Sequence, residues 1–149
     1  MSKLINDNKA TTIAIIVANF YQDIADNIMR SAIDVISEAG YTYQIIDIPG
    51  AFELPASLNI ARISDKFCAY IMLGCVIRGE TSHYDYVCES ATRGIEQLTL
   101  QHNLSVGFGL ITCENMEQAL VRSDARQKDV GGKAALAAIH MLKIKNNLI

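Results

Sequence analysis

Thr12-Ile13-Ala14-Ile15-Ile16-Val17-Ala18 is an uninterrupted apolar run rich in Ile and Val. A strand with one wet face alternates apolar and polar residues, whereas a strand covered on both faces does not. The run therefore predicts a parallel strand held between two layers of helices. The segments on its C-terminal side agree. Residues 23–39 place Ile24, Ile28, Ala32, Val35 and Ala39 on one helical face, with Gly40 set to end the helix. Residues 43–48 predict a second strand, stopped by Pro49-Gly50. Residues 53–63 predict a helix with Pro55 in its first turn, where a missing N–H costs nothing. Further strands are predicted at 69–73 and 106–111, and further helices at 84–101, 115–123 and 132–145. The last helix carries Ala134, Ala138, Met141 and Leu142 on its apolar side. This βαβαβαβαα order with right-handed crossovers implies an α/β fold: a three-layer αβα sandwich around a four-stranded parallel sheet. No repeat, low-complexity tract or linker interrupts the 149 residues, which predicts one domain with residues 1–11 as an N-terminal arm.

Composition narrows the function. Half the residues are apolar and 19% are charged, the balance of a globular chain. The net charge is −3, and the one basic cluster, Lys143 and Lys145, sits where cations offset a helix dipole. Neither feature suits a nucleic-acid or membrane surface. The polar start and the short first apolar run predict no secretory signal. Cys68, Cys75, Cys88 and Cys113 are well separated, without a Cys-x-x-Cys, and read as reduced thiols of a cytoplasmic protein. The glycosylation triplet Asn103-Leu104-Ser105 is discounted on the same ground.

In open α/β sheets ligands bind beyond the carboxyl ends of the strands. Four segments should therefore form the site: 19–21, 49–53, 74–83 and 112–115. The third nearly matches a P-loop, but Glu80 stands where the lysine must reach the terminal phosphates, so triphosphate hydrolysis is rejected. Gly79, Thr81 and Ser82 precede a helix start, where free N–H groups favour an anion, and capping by Thr81 or Ser82 explains the pattern equally well. His83 could exchange protons near pH 7, although a lone histidine is more often a packing residue. Glu53 could accept hydrogen bonds from a ligand or simply favour the helix dipole. Phe20 and Phe52 are aromatics in loops, suited to a flat ligand. Phe108 lies in a strand and reads as core. Arg122 could hold phosphate in a fork or be a solvated charge. A Cys–His nucleophile from His83 with Cys75 or Cys88 is conceivable, but a spacing of five puts His83 and Cys88 on different helix faces.

Three motifs together carry a resemblance. Pro49-Gly50-Ala51-Phe52-Glu53-Leu54-Pro55, the stretch GCVIRGETSHYDYVC over 74–88, and Gly107-Phe108-Gly109 followed by Thr112-Cys113-Glu114-Asn115-Met116-Glu117-Gln118-Ala119 resemble the 6,7-dimethyl-8-ribityllumazine synthase family. The likeness spans about residues 12–142. It implies the flavodoxin-like lumazine synthase fold, a pentameric unit, and no metal or organic cofactor. It also implies condensation of 5-amino-6-(D-ribitylamino)uracil with 3,4-dihydroxy-2-butanone 4-phosphate, releasing phosphate and water, in the penultimate step of riboflavin biosynthesis.

By the same resemblance, Phe20 stacks on the uracil, and Ala51, Phe52 and Glu53 line the ribityl pocket. Backbone groups of Cys75, Val76 and Ile77 read the uracil edge. The N–H groups at Glu80 and Thr81 hold the phosphate, and His83 shuttles protons. Phe108 and Arg122 reach in from an adjacent subunit, the arginine clamping phosphate. Many members carry Asn-Lys-Gly where this chain has Asp129-Val130-Gly131, so a lysine near the site is missing at Val130. Lys128 and Lys133 are the candidates to replace it, Lys133 being preferred. Tyr21 also replaces a common asparagine. Two rivals are weighed: dismutation of two lumazines to riboflavin, and a lumazine-binding or shell-forming protein without catalysis. The intact 79–83 loop argues against both.

Overall fold

The computed structural model describes residues 11–149. The arm expected over residues 1–11 therefore falls outside the described residues except at Thr11. The elements are β1 (Thr12–Ala18), α1 (Gln22–Glu38), β2 (Thr42–Ile48), a 3-10 turn (Ala51–Glu53), α2 (Leu54–Ser64), β3 (Ala69–Ile77), α3 (His83–His102), β4 (Val106–Cys113), α4 (Met116–Ser123) and α5 (Val130–Leu148). All strand pairs are parallel, in the order β2-β1-β3-β4.

The doubly buried strand is β1, with Ile13 to Ala18 all buried. Ile13, Ile15 and Val17 join a core with α1, α5 and Ala119 of α4. Ala14, Ile16 and Ala18 join a second core with Leu54 and Leu58 of α2 and Val87, Ala91 and Ile95 of α3. The sheet is thus the middle of three layers, as the apolar run requires. Gly40 adopts φ +86 directly after α1, and its N–H donates to the Ser37 carbonyl at 3.1 Å, which ends the helix.

Four expectations need correction. The buried stripe of α1 turns through Ile36, while Val35 is half-buried and Ala39 exposed. On α5 Met141 is exposed, because Ala135 and Ile139 carry the packing against the sheet side. The third and fourth strands run on to Ile77 and Cys113, since the β3–β4 ladder continues through Gly74↔Leu110 to Ile77↔Cys113. Phe108 is not a core residue: unlike Leu110 two positions on, it joins neither buried cluster and is 44% exposed.

Candidate active site

From β1 the chain crosses to β2 on one side and to β3 on the other, so the sheet has its switch point between β1 and β3. A cavity of about 490 Å³ lies there, in the size range of a small-molecule site. It is lined by Phe20 and Tyr21 after β1, by Gly50 to Glu53 after β2, by Cys75, Val76 and Ile77 at the end of β3, and by His83 and Val87 of α3. Three of the four expected segments meet in it. The fourth, 112–115, lies one strand further along the sheet.

Each wall has a local cause. Phe20 is 73% exposed and Phe52 63% exposed, so neither ring is used by the core. Phe20 is steadied edge-on by Tyr21, with ring centroids 5.0 Å apart. Glu53 is the N-cap of α2, yet its carboxylate makes no capping bond. It stays free among the described residues to accept from a ligand. Pairing of β1 with β3 stops at Val17↔Leu73, whereas β3 runs to Ile77 beside β4. Gly74 to Ile77 therefore overhang, and on the side away from β4 no strand among the described residues is paired with them. Such unspent donors and acceptors are what a flat heterocycle edge needs.

The loop 78–82 closes one end. Its Arg78 N–H donates to the Cys113 carbonyl at 2.9 Å. The N–H groups of Gly79, Glu80, Thr81 and Ser82 have no partner among the described residues. Ser82 is the N-cap of α3 but makes no side-chain cap bond, and the Thr81 hydroxyl accepts from the His83 N–H at 3.3 Å. Four amides thus stay open at a helix start among the described residues, where free N–H groups favour an anion.

The thiols are quiet. Burial, helped by neighbouring Cys113, pushes the Cys75 thiol up to about 12. Burial also raises the Cys88 and Cys113 thiols. Nucleophilic cysteine chemistry needs a lowered thiol pKa, so the Cys–His reading fails. Among the described residues no cluster of three or more His, Cys, Asp or Glu is arranged to hold a metal ion.

Not every expected residue lines the cavity. Phe20, Ala51, Phe52, Glu53, Cys75, Val76, Ile77 and His83 do. Glu80 and Thr81 sit in the adjoining loop. Phe108 on the β4 edge, Arg122 in the last turn of α4, and Lys133 on the outside of α5 do not. Tyr21, Gly50 and Val87 are lining residues without an assigned role from sequence. Among the described residues no Lys or Arg lines the cavity.

Comparison with known proteins decides the family. The sequence model of the 6,7-dimethyl-8-ribityllumazine synthase family matches residues 10–146. The chain is 43% identical over 134 residues to 6,7-dimethyl-8-ribityllumazine synthase of Zymomonas mobilis, covering 90% of this chain and 96% of that protein. It is 37% identical over 145 residues to the synthase of the same name from Desulfovibrio desulfuricans, covering 95% and 93%. The Agrobacterium fabrum synthase is 40% identical over 139 residues, covering 90% and 94%. The chain belongs to the 6,7-dimethyl-8-ribityllumazine synthase family.

As a lumazine synthase family member the chain is an enzyme of riboflavin biosynthesis, and the reaction is of the transferase type. Two of the three family motifs fall on the site. The PGAFELP stretch makes the turn and the start of α2, the 74–88 stretch runs from the overhang of β3 into α3, and the third motif covers β4 and α4. The departure from the common lumazine synthase pattern has a structural footing. Asp129 sits at φ 47 and accepts from the Gly132 N–H at 3.1 Å, capping α5. Val130 follows as its first residue and packs against the core shared by α1 and α5. No helix among the described residues is long and apolar enough to cross a membrane.

Proposed function

We propose that the chain is a single lumazine synthase domain, residues 1–149, working as a cytoplasmic homopentamer or an assembly of pentamers, with each active site completed by a neighbouring copy. The observation that carries this is a mismatch of charge. One cavity supplies an aromatic shelf and a free carboxylate, and the loop beside it four open amides, but no Lys or Arg among the described residues lines that cavity to hold a phosphate. Arg122 stands away from its own cavity. The strand β4 leaves Phe108 44% exposed, and α4 after it leaves Met116 and Leu120 44% and 49% exposed, apolar surface suited to a neighbour. Placed against the next cavity, that surface would bring both Phe108 and the guanidinium that is missing. A cytoplasmic location fits the four free thiols.

In this arrangement the ribitylaminouracil lies on Phe20, its edge against the β3 overhang and its ribityl hydroxyls donating to Glu53 beside Ala51 and Phe52. The butanone phosphate sits on the Glu80 and Thr81 amides under Arg122, with Lys133 the candidate for the second cationic wall. The amine attacks the ketone and water leaves. Phosphate is then expelled, and the ribityl-bearing nitrogen closes on the remaining carbonyl with loss of a second water. His83 passes protons between these steps. None requires a protein nucleophile. Holding two substrates together can lower such a barrier by ~7–11 kcal/mol. Proton transfer by His83 adds about 10²–10⁴-fold. Orientation therefore dominates.

Mixed rings test the shared site. His83→Ala and Arg122→Ala proteins, each impaired alone, are unfolded together and reassembled. If the two groups come from different subunits, about a quarter of the interfaces in randomly mixed rings carry both intact groups, and activity returns to that extent. No recovery in mixed rings would place both groups in one subunit and end the shared-site reading.

A further inference from the structure

The loop that carries the open amides has little of its own to hold it. Among the described residues, four successive N–H groups, from Gly79 to Ser82, find no partner, and the Thr81 hydroxyl accepts from the His83 N–H at 3.3 Å. Order must come from its ends. Arg78 occupies one end and folds back over the other. Its Nη2 lies 3.2 Å from Asp85 Oδ1 and its Nη1 donates to Asp85 Oδ2 at 3.3 Å, a two-pronged grip on the first turn of α3. Its Nε donates to Glu114 Oε2 at 2.8 Å, beyond the end of β4. The guanidinium also lies 4.3 Å over the Tyr84 ring.

The contacts continue toward Arg122. The Glu114 N–H donates to Gln118 Oε1 at 2.8 Å, and Arg122 Nη1 donates to the Gln118 carbonyl at 3.2 Å. One side chain thus stands between the anion loop and the element that presents Arg122.

We propose that Arg78 is a positioning residue for phosphate binding: it clamps the Gly79–Ser82 loop between α3 and the β4–α4 junction so that the open amides converge on one anion. The proposal rests on the anion-binding reading of that loop. Arg78 is not itself the phosphate ligand, because two carboxylates already neutralise it and its Nε, Nη1 and Nη2 groups are engaged. An exposed ion-pair network adds little to stability, so its purpose is geometry.

The two roles separate in the full-length protein with inorganic phosphate as the probe. The variants are R78Q, R78K and D85N, read by phosphate affinity, by KM against kcat for the butanone phosphate, and by amide exchange over residues 83–88. A clamp predicts that R78Q and D85N both weaken phosphate on the order of tenfold, short of the hundredfold that a 1 Å misplacement can cost. KM should rise more than kcat falls. The Asp85 and Tyr86 amides, bonded to the Ser82 carbonyl at 3.0 and 3.4 Å, should exchange faster. R78K, which keeps the charge without the fork, should recover only part of the affinity. Tighter phosphate binding by D85N would make Arg78 a ligand and overturn the proposal. Unchanged affinity and exchange in R78Q would overturn it too. Faster exchange in R78Q with no phosphate binding by the wild type would leave the clamp standing and remove the anion role, which overturns the proposal through its premise.

Discussion

Phe20→Ala separates a ligand platform from a core residue. The ring is 73% exposed, and its aromatic contact is an edge-on one with Tyr21 at 5.0 Å. Truncation therefore removes little that folding uses, and Tm should fall by no more than about 2 °C, less than 1 kcal/mol for a chain of this size. Binding is another matter. A phenylalanine carries about 150–250 Å². Laying a uracil on one face of the exposed part covers roughly 55–90 Å², or about 1.4–2.2 kcal/mol at ~25 cal/mol per Å². Stacking adds about 0.5–1.5 kcal/mol beyond burial. The sum, about 2–3.5 kcal/mol, is a loss of ~30- to 300-fold in Kd. Titration of the lumazine product by fluorescence, beside a thermal melt, reads both quantities on one preparation. A Tm lower by about 5 °C or more with Kd unchanged would make Phe20 part of the fold and refute the platform.

Three further outcomes follow from the same geometry. His83→Ala should lower kcat by no more than about 10²–10⁴-fold and leave the KM for the uracil near its wild-type value, because orientation survives. A rate equal to the uncatalysed one would show that the histidine does more than move protons. The Cys75 thiol, pushed up to about 12, should resist iodoacetamide from pH 7 to 9, where the thiolate is ~0.1% of the total or less. Peptide mapping that finds Cys75 alkylated with a midpoint near the ordinary cysteine value would contradict that burial. Gly131→Ala would push a Cβ into the Ile28 carbonyl oxygen, forcing α5 off α1. A loss of about 1–3 kcal/mol, read as a Tm drop of about 3–10 °C, is expected, and an unchanged melt would mean the two helices can part freely.

Much of the fold is readable because its cause is local. A strand with two buried faces has to be apolar throughout, and residues 12–18 are. Pro49-Gly50 and Gly40 mark turns by backbone chemistry alone. The ends of β3 and β4 were hidden because Gly74 looks like a stop, whereas it pairs with Leu110 inside the ladder. Phe108 misleads for a related reason: a strand residue is core only where its face of the sheet is covered, and β4 buries Leu110 and Ile111 while leaving Phe108 exposed. Most lining residues follow from the rule that sites sit at strand ends, sharpened by the family motifs. The Arg78 bridge could not be read, since its partners are 7 and 36 positions away and surface ion pairs leave no periodic trace. Its presence inside the 74–88 motif was the available hint.

The most direct test of the central claim mixes the purified chain with the ribitylaminouracil and the butanone phosphate, following lumazine absorbance and released phosphate together. A lumazine synthase should form the two in equal amounts at a rate above the uncatalysed background, with Val130 tolerated. Binding of the lumazine ring without any rate above background would contradict the assignment, leaving a binding or shell protein and making the missing lysine at Val130 the first residue to restore.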